Sequence, residues 1–324
     1  MEKLAVLYQK HAPEQAVAAR FVGASDFRRD ILKRIKRYAR LKAPVLICGE
    51  SGTGKELVAE ALHELGPVAD GPFVAVNCGA IPESIAESEL FGHSRGAFTG
   101  AVNSQTGLFE QAGGGSLLLD EVGELPIMIQ SKLLRFLENG MIRRLGDEKT
   151  SFVPSRIIAA TNRPLESLIA AGQFRLDLFH RLNVLEIRML PLRERKQDIV
   201  ALSDHFLKMF CDELGPKTLS ETALSKIMGH SWPGNVRELK HTLYRACVNA
   251  PRETIHGSNV DICPVPVSPQ DPGPIKCRPE PEELLEAYAA CKGNLSAASR
   301  RTGIPRTTLR DMLRRMQQEQ ISAP

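Results

Sequence analysis

A chain of 324 residues with 43% hydrophobic and 25% charged residues has globular composition and room for two or three cores. Its net charge of +4 is too small to mark the whole chain as a nucleic-acid or membrane binder, so charge has to be read locally. Seven scattered cysteines without C-x-x-C spacing argue against a disulfide scaffold or structural zinc, and no signal segment or 18-residue apolar run is present, so a reduced cytoplasmic protein without a membrane span is expected.

Residues 1–20 read as a short lead. From Ser25 to Leu41 the apolar residues Ile31, Leu32, Ile35, Tyr38 and Ala39 recur at helical spacing, and the basic residues between them read as a solvated face. A strand-like run from Pro44 to Cys48 then enters Gly49, Glu50, Ser51, Gly52, Thr53, Gly54, Lys55 and Glu56, followed by a helix to about Leu65. The spacing is G-x-x-x-x-G-K, a phosphate-binding loop. Its glycines let backbone N–H groups converge on the α- and β-phosphates, the helix beginning near Gly54 offers its positive end, and Lys55 reaches the β/γ-phosphates. Glu56 stands where a Ser or Thr usually offers Mg²⁺ a hydroxyl, so that contribution is missing.

Further strands are predicted at Phe73 to Asn77, Gly115 to Asp120, Arg156 to Thr161 and Val184 to Met189. Helices are predicted at Ser84 to Phe91 and Pro126 to Asn139. The alternation predicts an α/β sandwich around a mainly parallel sheet over residues 21–190. Helical patterns from Arg195 to Leu214, Ser220 to Met228 and Asn235 to Asn249 predict a lid over 191–250. Seven prolines over 251–280 predict a linker, and three short helices over 281–318 a last compact unit.

Asp120 and Glu121 close a buried strand downstream of the phosphate loop. Asp120 fits a Mg²⁺ ligand and Glu121 the base that polarises the attacking water. Asn162, at the end of the next strand, can orient that water or sense the γ-phosphate. Positive charge for the transferring phosphoryl has three candidates, Arg175, Arg181 and Arg237. The residues alone do not assign them, since Arg175 and Arg181 read equally as solvated or as partners of Asp177. Gly96, Ala97, Phe98, Thr99, Gly100 and Ala101 form a glycine- and alanine-rich excursion around one aromatic. Phe98 reads either as a solvent-facing contact for a partner or as a ring folded back on the core. Between Lys292 and Arg315 there are seven basic residues and one acid, the footprint of a helix-turn-helix in the major groove. Arg306, Thr307, Thr308, Arg310 and Arg314 are the candidate DNA contacts; a basic protein-docking helix pair is the alternative.

The stretches GESGTGKE, ESELFGHSRGAFTGA, GGGSLLLDEV, FRLDLFHRLNV, PLRER and SWPGNVREL together resemble the AAA+ domain of bacterial enhancer-binding proteins, the NtrC-type activators of sigma-54 RNA polymerase. The resemblance covers residues 21–250 and implies an AAA+ P-loop ATPase fold, an αβα sandwich plus helical lid, followed by an all-α Fis-type helix-turn-helix domain. It implies ATP and Mg²⁺ as cofactors and a ring, usually a hexamer, with a resting dimer or a mixed ring with a related activator as variants. Its partners would be the sigma-54 RNA polymerase holoenzyme and enhancer DNA. By residue, it makes Lys55 the phosphate lysine, Asp120 and Glu121 the metal and water pair, and Asn162 the first sensor. Asn77 becomes a switch on Glu121, Arg175 and Arg181 reach into a neighbour's site, Arg237 is a lid-borne sensor, and Phe98 and Thr99 touch sigma-54. Glu56 is then ordinary, because this branch resembles GKE. The segment from Arg143 to Lys149 resembles a second surface loop supporting the first. Relatives usually carry a regulatory domain ahead of the ATPase. The short lead here is similar in layout to the phage shock protein and type III secretion activators, which implies control by a separate regulatory protein, by expression level or by a partner activator. A remodeller of another target, such as a helicase loader, is disfavoured by GAFTGA and the tail. A passive repressor with a decayed ATPase is disfavoured by the complete set Lys55, Asp120, Glu121, Arg175 and Arg181.

Overall fold

The computed structural model describes residues 14–98 and 101–262. The chain divides into one unit ending at Cys263 and a second, Pro264–Pro324, which lies outside the described residues. The candidate DNA contacts Arg306, Thr307, Thr308, Arg310 and Arg314 fall there, and Thr99 and Gly100 are also outside.

Five strands build the central sheet: β1 (Val45–Cys48), β2 (Phe73–Asn77), β3 (Ser116–Asp120), β4 (Arg156–Thr161) and β5 (Leu185–Arg188). They run parallel in the order β2-β3-β4-β1-β5. The middle strands are near-continuous apolar runs because helices cover both faces. Side chains alternate between those faces: Leu117 and Leu119 join one core with Phe91, Phe109, Leu133 and Phe136, while Leu118 joins the other with Ile35, Val58 and Leu62. The helices are α1 (Asp26–Ala39), α2 (Lys55–Glu64), α3 (Glu83–Phe91), α4 (Leu108–Gln111), α5 (Ile127–Asn139), α6 (Leu165–Ala170) and α7 (Leu176–Leu182). A lid of α8 (Asp198–Leu214), α9 (Glu221–Gly229) and α10 (Asn235–Asn249) follows, packed around the fully buried Trp232. Helices α4, α6 and α7 escape the sequence pattern because they are too short to show a period. Among the described residues no helix is long and apolar enough to cross a membrane.

Two predicted boundaries shift. Residues 14–20 are helical, and Val17 is buried with Ile31 and Ile35, so part of the expected lead belongs to the α/β core. Thr254–Ile255 pairs with Thr218–Leu219, and Ile255 and Val260 are buried in the lid core. Residues 251–262 are therefore lid rather than linker; the one proline there starts no proline-rich run.

The amino ends of the strands are closed off. Ser116 and Arg156 face each other in register, and both are buried. Arg156 Nη1 donates to Ala39 O at 3.0 Å and Leu62 O at 2.9 Å, and its Nη2 donates to Tyr38 O at 2.8 Å. One guanidinium thus satisfies carbonyls at the carboxyl ends of α1 and α2, where the helix dipoles favour positive charge. Burial lowers its pKa to about 10, which leaves it charged at neutral pH. Beside it, Ser116 Oγ lies 3.0 Å from His63 Nδ1, and burial holds that imidazole below its ordinary range.

Candidate nucleotide site

At the opposite end of the sheet the chain opens. β1 runs into the loop from Gly49 to Lys55, and Gly49 N–H extends the pairing to Thr161 O at 3.1 Å. Gly52 and Gly54 have φ of 75° and 101°, the left-handed region in which a side chain is strained, and they make the curl possible. Gly54 then caps α2, so the positive end of that helix faces the curl. Lys55 is buried at the first turn, and its Nζ donates to Gly49 O at 2.9 Å and Glu50 O at 3.2 Å. Thr53 Oγ1 donates to Glu50 O at 2.7 Å. Glu56 is exposed on the same turn.

Asn77 and Asp120 end neighbouring strands and face each other in register. Glu121 follows in a left-handed conformation, φ 56° and ψ 45°, which costs a residue with a Cβ and is retained where geometry matters. Its N–H donates to Asp120 Oδ1 at 3.0 Å. Burial raises the Glu121 carboxyl above its ordinary range, with Lys55 opposing and Asp120 and Glu124 adding. Burial likewise lowers Lys55, with Asp120 and Glu121 opposing and Arg237 adding. Lysine, carboxylates and lid arginine therefore share one electrostatic neighbourhood. Asn77 Oδ1 accepts Gly79 N–H at 2.9 Å, and its amide makes no hydrogen bond to Glu121 among the described residues. Asn162, exposed just past β4, has no hydrogen-bond partner among them either.

The lid reaches the loop directly. Arg237 Nη1 donates to Ser51 Oγ at 3.0 Å. Arg193 grips both Glu50 oxygens at 2.8 and 2.6 Å, which holds that carboxyl below its usual range. Arg195 Nη2 donates to Thr53 O at 3.0 Å. Asn235, Arg193 and Arg195 were not singled out from the sequence. In the sequence they stand only within the PLRER and SWPGNVREL stretches, and the two arginines lie in the hinge between β5 and α8.

The structure does not bring Arg175 or Arg181 to the loop. Arg175 caps α7 and pairs with Asp177, Nη2 to Oδ2 at 2.6 Å, while Arg181 is exposed. Neither contacts the phosphate loop, Asp120 or Glu121 within the chain, among the described residues.

The glycine-rich excursion leaves α3 through a hairpin of Gly92–His93 with Gln105–Thr106. Gly96 N–H donates to Ala101 O at 2.8 Å, and Ala101 is buried. Phe98 is 46% exposed, and its ring meets His93 edge-on at 5.1 Å, so the ring is neither fully solvent-facing nor fully folded back. His93 is in turn held by Ser88, Oγ to Nδ1 at 2.7 Å. The second loop braces this one: Leu145 N–H donates to Gly92 O and Leu145 O accepts Ser94 N–H, both at 2.9 Å. A Cβ on Gly146 would come within 2.8 Å of Ala97 Cβ, and Arg144 forks onto Glu110 at 2.7 and 2.5 Å.

Taken together, a backbone cradle, a buried lysine, a carboxylate that forms no salt bridge among the described residues and a desolvated second carboxylate fit a nucleoside triphosphate with a divalent cation. The family model of the sigma-54 interaction domain matches residues 21–188, and that of an AAA+ ATPase lid domain matches 193–261. The chain is 50% identical over 235 residues to the Nif-specific regulatory protein of Azotobacter vinelandii, covering 72% of this chain and 45% of that one. It is 46% identical over 246 residues to the Sigma54-dependent transcriptional activator SfnR of Pseudomonas putida, covering 75% and 67%. The chain spans about half the length of several of the curated relatives it matches. The crystal structure of NtrX from Brucella abortus in complex with ATP is similar at a TM-score of 0.69 and 33% identity, over 90% of this chain and 68% of that chain. By its motifs, its sheet and lid, and these matches, the chain belongs to the sigma-54-dependent AAA+ activators, the NtrC/AtoC/NorR family.

Proposed function

We propose that this chain binds ATP with Mg²⁺, hydrolyses it at subunit interfaces of a homo- or hetero-hexameric ring, and uses the GAFTGA loop to remodel the sigma-54 closed promoter complex from upstream enhancer DNA. The observation that carries the reading is the convergence of Lys55, Asp120, Glu121 and Arg237 at the carboxyl edge of the sheet. From there Asn77 leads through one short turn into α3 and so to the hairpin of the excursion. Crystals of NtrX from Brucella abortus with ADP and with ATP support the nucleotide.

The chemistry assigns each residue a task. The curl from Gly49 to Gly54 and Lys55 hold the triphosphate. Asp120 would hold Mg²⁺, which supplies charge neutralisation on the phosphates. Glu121, its proton affinity raised by burial, takes a proton from water that Asn162 orients. Asn77 Oδ1 accepts Gly79 N–H, which leaves its Nδ2 to donate to the Glu121 carboxylate and restrain it. Arg237 reports on the γ-phosphate from the lid. Arg175 and Arg181, which lie away from their own loop, serve a neighbouring subunit's site, Arg175 after releasing Asp177. Phe98 and Thr99 contact sigma-54, the tail residues Arg306, Thr307, Thr308, Arg310 and Arg314 contact DNA, and the polymerase target sets the cytoplasm as the place of action.

Thr99→Ala tests the coupling. ATPase activity should persist while sigma-54 open-complex formation, followed by promoter footprinting, is lost. Promoter opening by this variant would remove the loop from the mechanism.

A further inference from the structure

Asn235 begins α10 at φ 54°, in the left-handed region, and is fully buried. Glycine would occupy that backbone without strain, and a helix start needs no buried amide. The amide is nevertheless fully used. Its Oδ1 accepts Leu192 N–H at 2.8 Å, and its Nδ2 donates to Ser51 O at 3.0 Å, Glu50 Oε2 at 3.1 Å and Pro233 O at 3.3 Å.

The bonds around it form a series. Glu50 is tied to Arg193 and Asn235, Ser51 to Asn235 and Arg237, Gly52 O to Val236 N–H at 3.0 Å, and Thr53 O to Arg195. Four successive residues of the phosphate loop are thus each bonded to the hinge or the lid. The backbones also touch, since a Cβ on Gly52 would collide with Gly234 O. In a trans peptide the C=O and the next N–H point in opposite directions. Holding the carbonyls of Ser51, Gly52 and Thr53 against the lid therefore turns the N–H groups of Gly52, Thr53 and Gly54 the other way, into the cradle.

We propose that Asn235 is a positioning residue that makes the phosphate loop and the lid move as one body, so that a nucleotide on the loop is felt at the lid. The inference rests on the nucleotide-site reading, and Asn235 itself touches no phosphate. Its effect is on how the loop is pre-set and how its state reaches Arg237.

Hydrogen exchange on the full chain tests it, with and without a non-hydrolysable ATP analogue. Asn235→Gly keeps the backbone conformation and removes the amide. Asn235→Asp keeps an acceptor for Leu192 N–H but loses the donors to Glu50 and Ser51. In wild type the analogue should protect residues 49–55 and 234–238 together. In both variants its affinity should fall about tenfold, the worth of one or two lost hydrogen bonds. Protection should then stay on the loop and no longer reach 234–238. Without nucleotide, both segments should exchange faster while the core of α8 does not, which separates positioning from general loss of lid stability. Unchanged affinity, undiminished protection of 234–238, or acceleration of only one segment would each overturn the proposal. Failure of the wild type to bind the analogue would instead refute the nucleotide reading, and the nucleotide-free comparison would still decide the coupling.

Discussion

The two ends of the parallel sheet use charge in opposite ways. At the amino ends of β3 and β4, Arg156 is buried and its Nη groups are committed to three carbonyls, with Ser116 and His63 paired beside it. At the carboxyl ends of the same strands, among the described residues, Asp120 accepts only the next N–H and the exposed Asn162 has no partner, while nearby Lys55 holds two carbonyls of its own loop. One end fastens α1 and α2 to the sheet. The other keeps charged groups close together with their strongest bonds unmade. Removing a charge should therefore cost stability at the first end and ligand binding at the second.

The largest difference is expected from Lys55→Ala. Nucleotide affinity should fall on the order of 100-fold or more by titration calorimetry. The melting temperature without nucleotide should hold or rise, because burying the ammonium costs more than the nearby Asp120 and Glu121 charges return. Matched losses of stability and affinity would erase the contrast. Arg156→Met is its mirror image. Three helix-end carbonyls would lose their donor, so stability in a urea titration should drop by about 2–4 kcal/mol. Nucleotide affinity of the folded protein should stay at the wild-type value.

The pH–rate profile sharpens the comparison with a smaller effect. In the proposed mechanism Glu121 works deprotonated and Lys55 protonated, while burial raises the first pKa and lowers the second. Activity should therefore be lost as pH falls through the raised carboxyl value and again as it rises through the lowered amine value, giving a narrower bell than free groups would. An acid limb at the ordinary glutamate value of about 4.3 would contradict the burial of Glu121. The smallest effect belongs to Glu50. Its carboxyl is held low first by Arg193, so its contribution to the strap is present above the unfolded value and is lost as pH falls through its lowered one. The protection of residues 234–238, corrected for the intrinsic slowing of amide exchange in acid, should fall as pH drops, and Glu50→Gln should remove that fall.

Legibility in the sequence followed this same division. The carboxyl-end candidates stand out in the sequence because phosphate chemistry demands fixed residue types at fixed spacing, and Lys55, Asp120 and Glu121 keep that spacing. Strands such as Phe73–Asn77 and Arg156–Thr161 were bounded correctly because apolar runs flanked by polar turns leave little latitude. Arg156 was not readable as a fastener. Its partners are main-chain carbonyls 94–118 positions away, and carbonyls carry no sequence signature. Asn235 was hidden for the same reason, two of its partners being carbonyls, and its left-handed backbone resembled an ordinary helix start. The salt bridge of Arg175 with Asp177 is legible from their proximity in the sequence.

The measurement that bears most directly on charges held in readiness is made on Glu121→Gln. Titration calorimetry should show ATP bound as in wild type, and turnover of the same sample should be slower on the order of 100-fold or more, because the water loses its base. Normal turnover with Glu121 replaced would contradict the account, since the carboxylate kept strained and desolvated beside Lys55 would then have no part in hydrolysis.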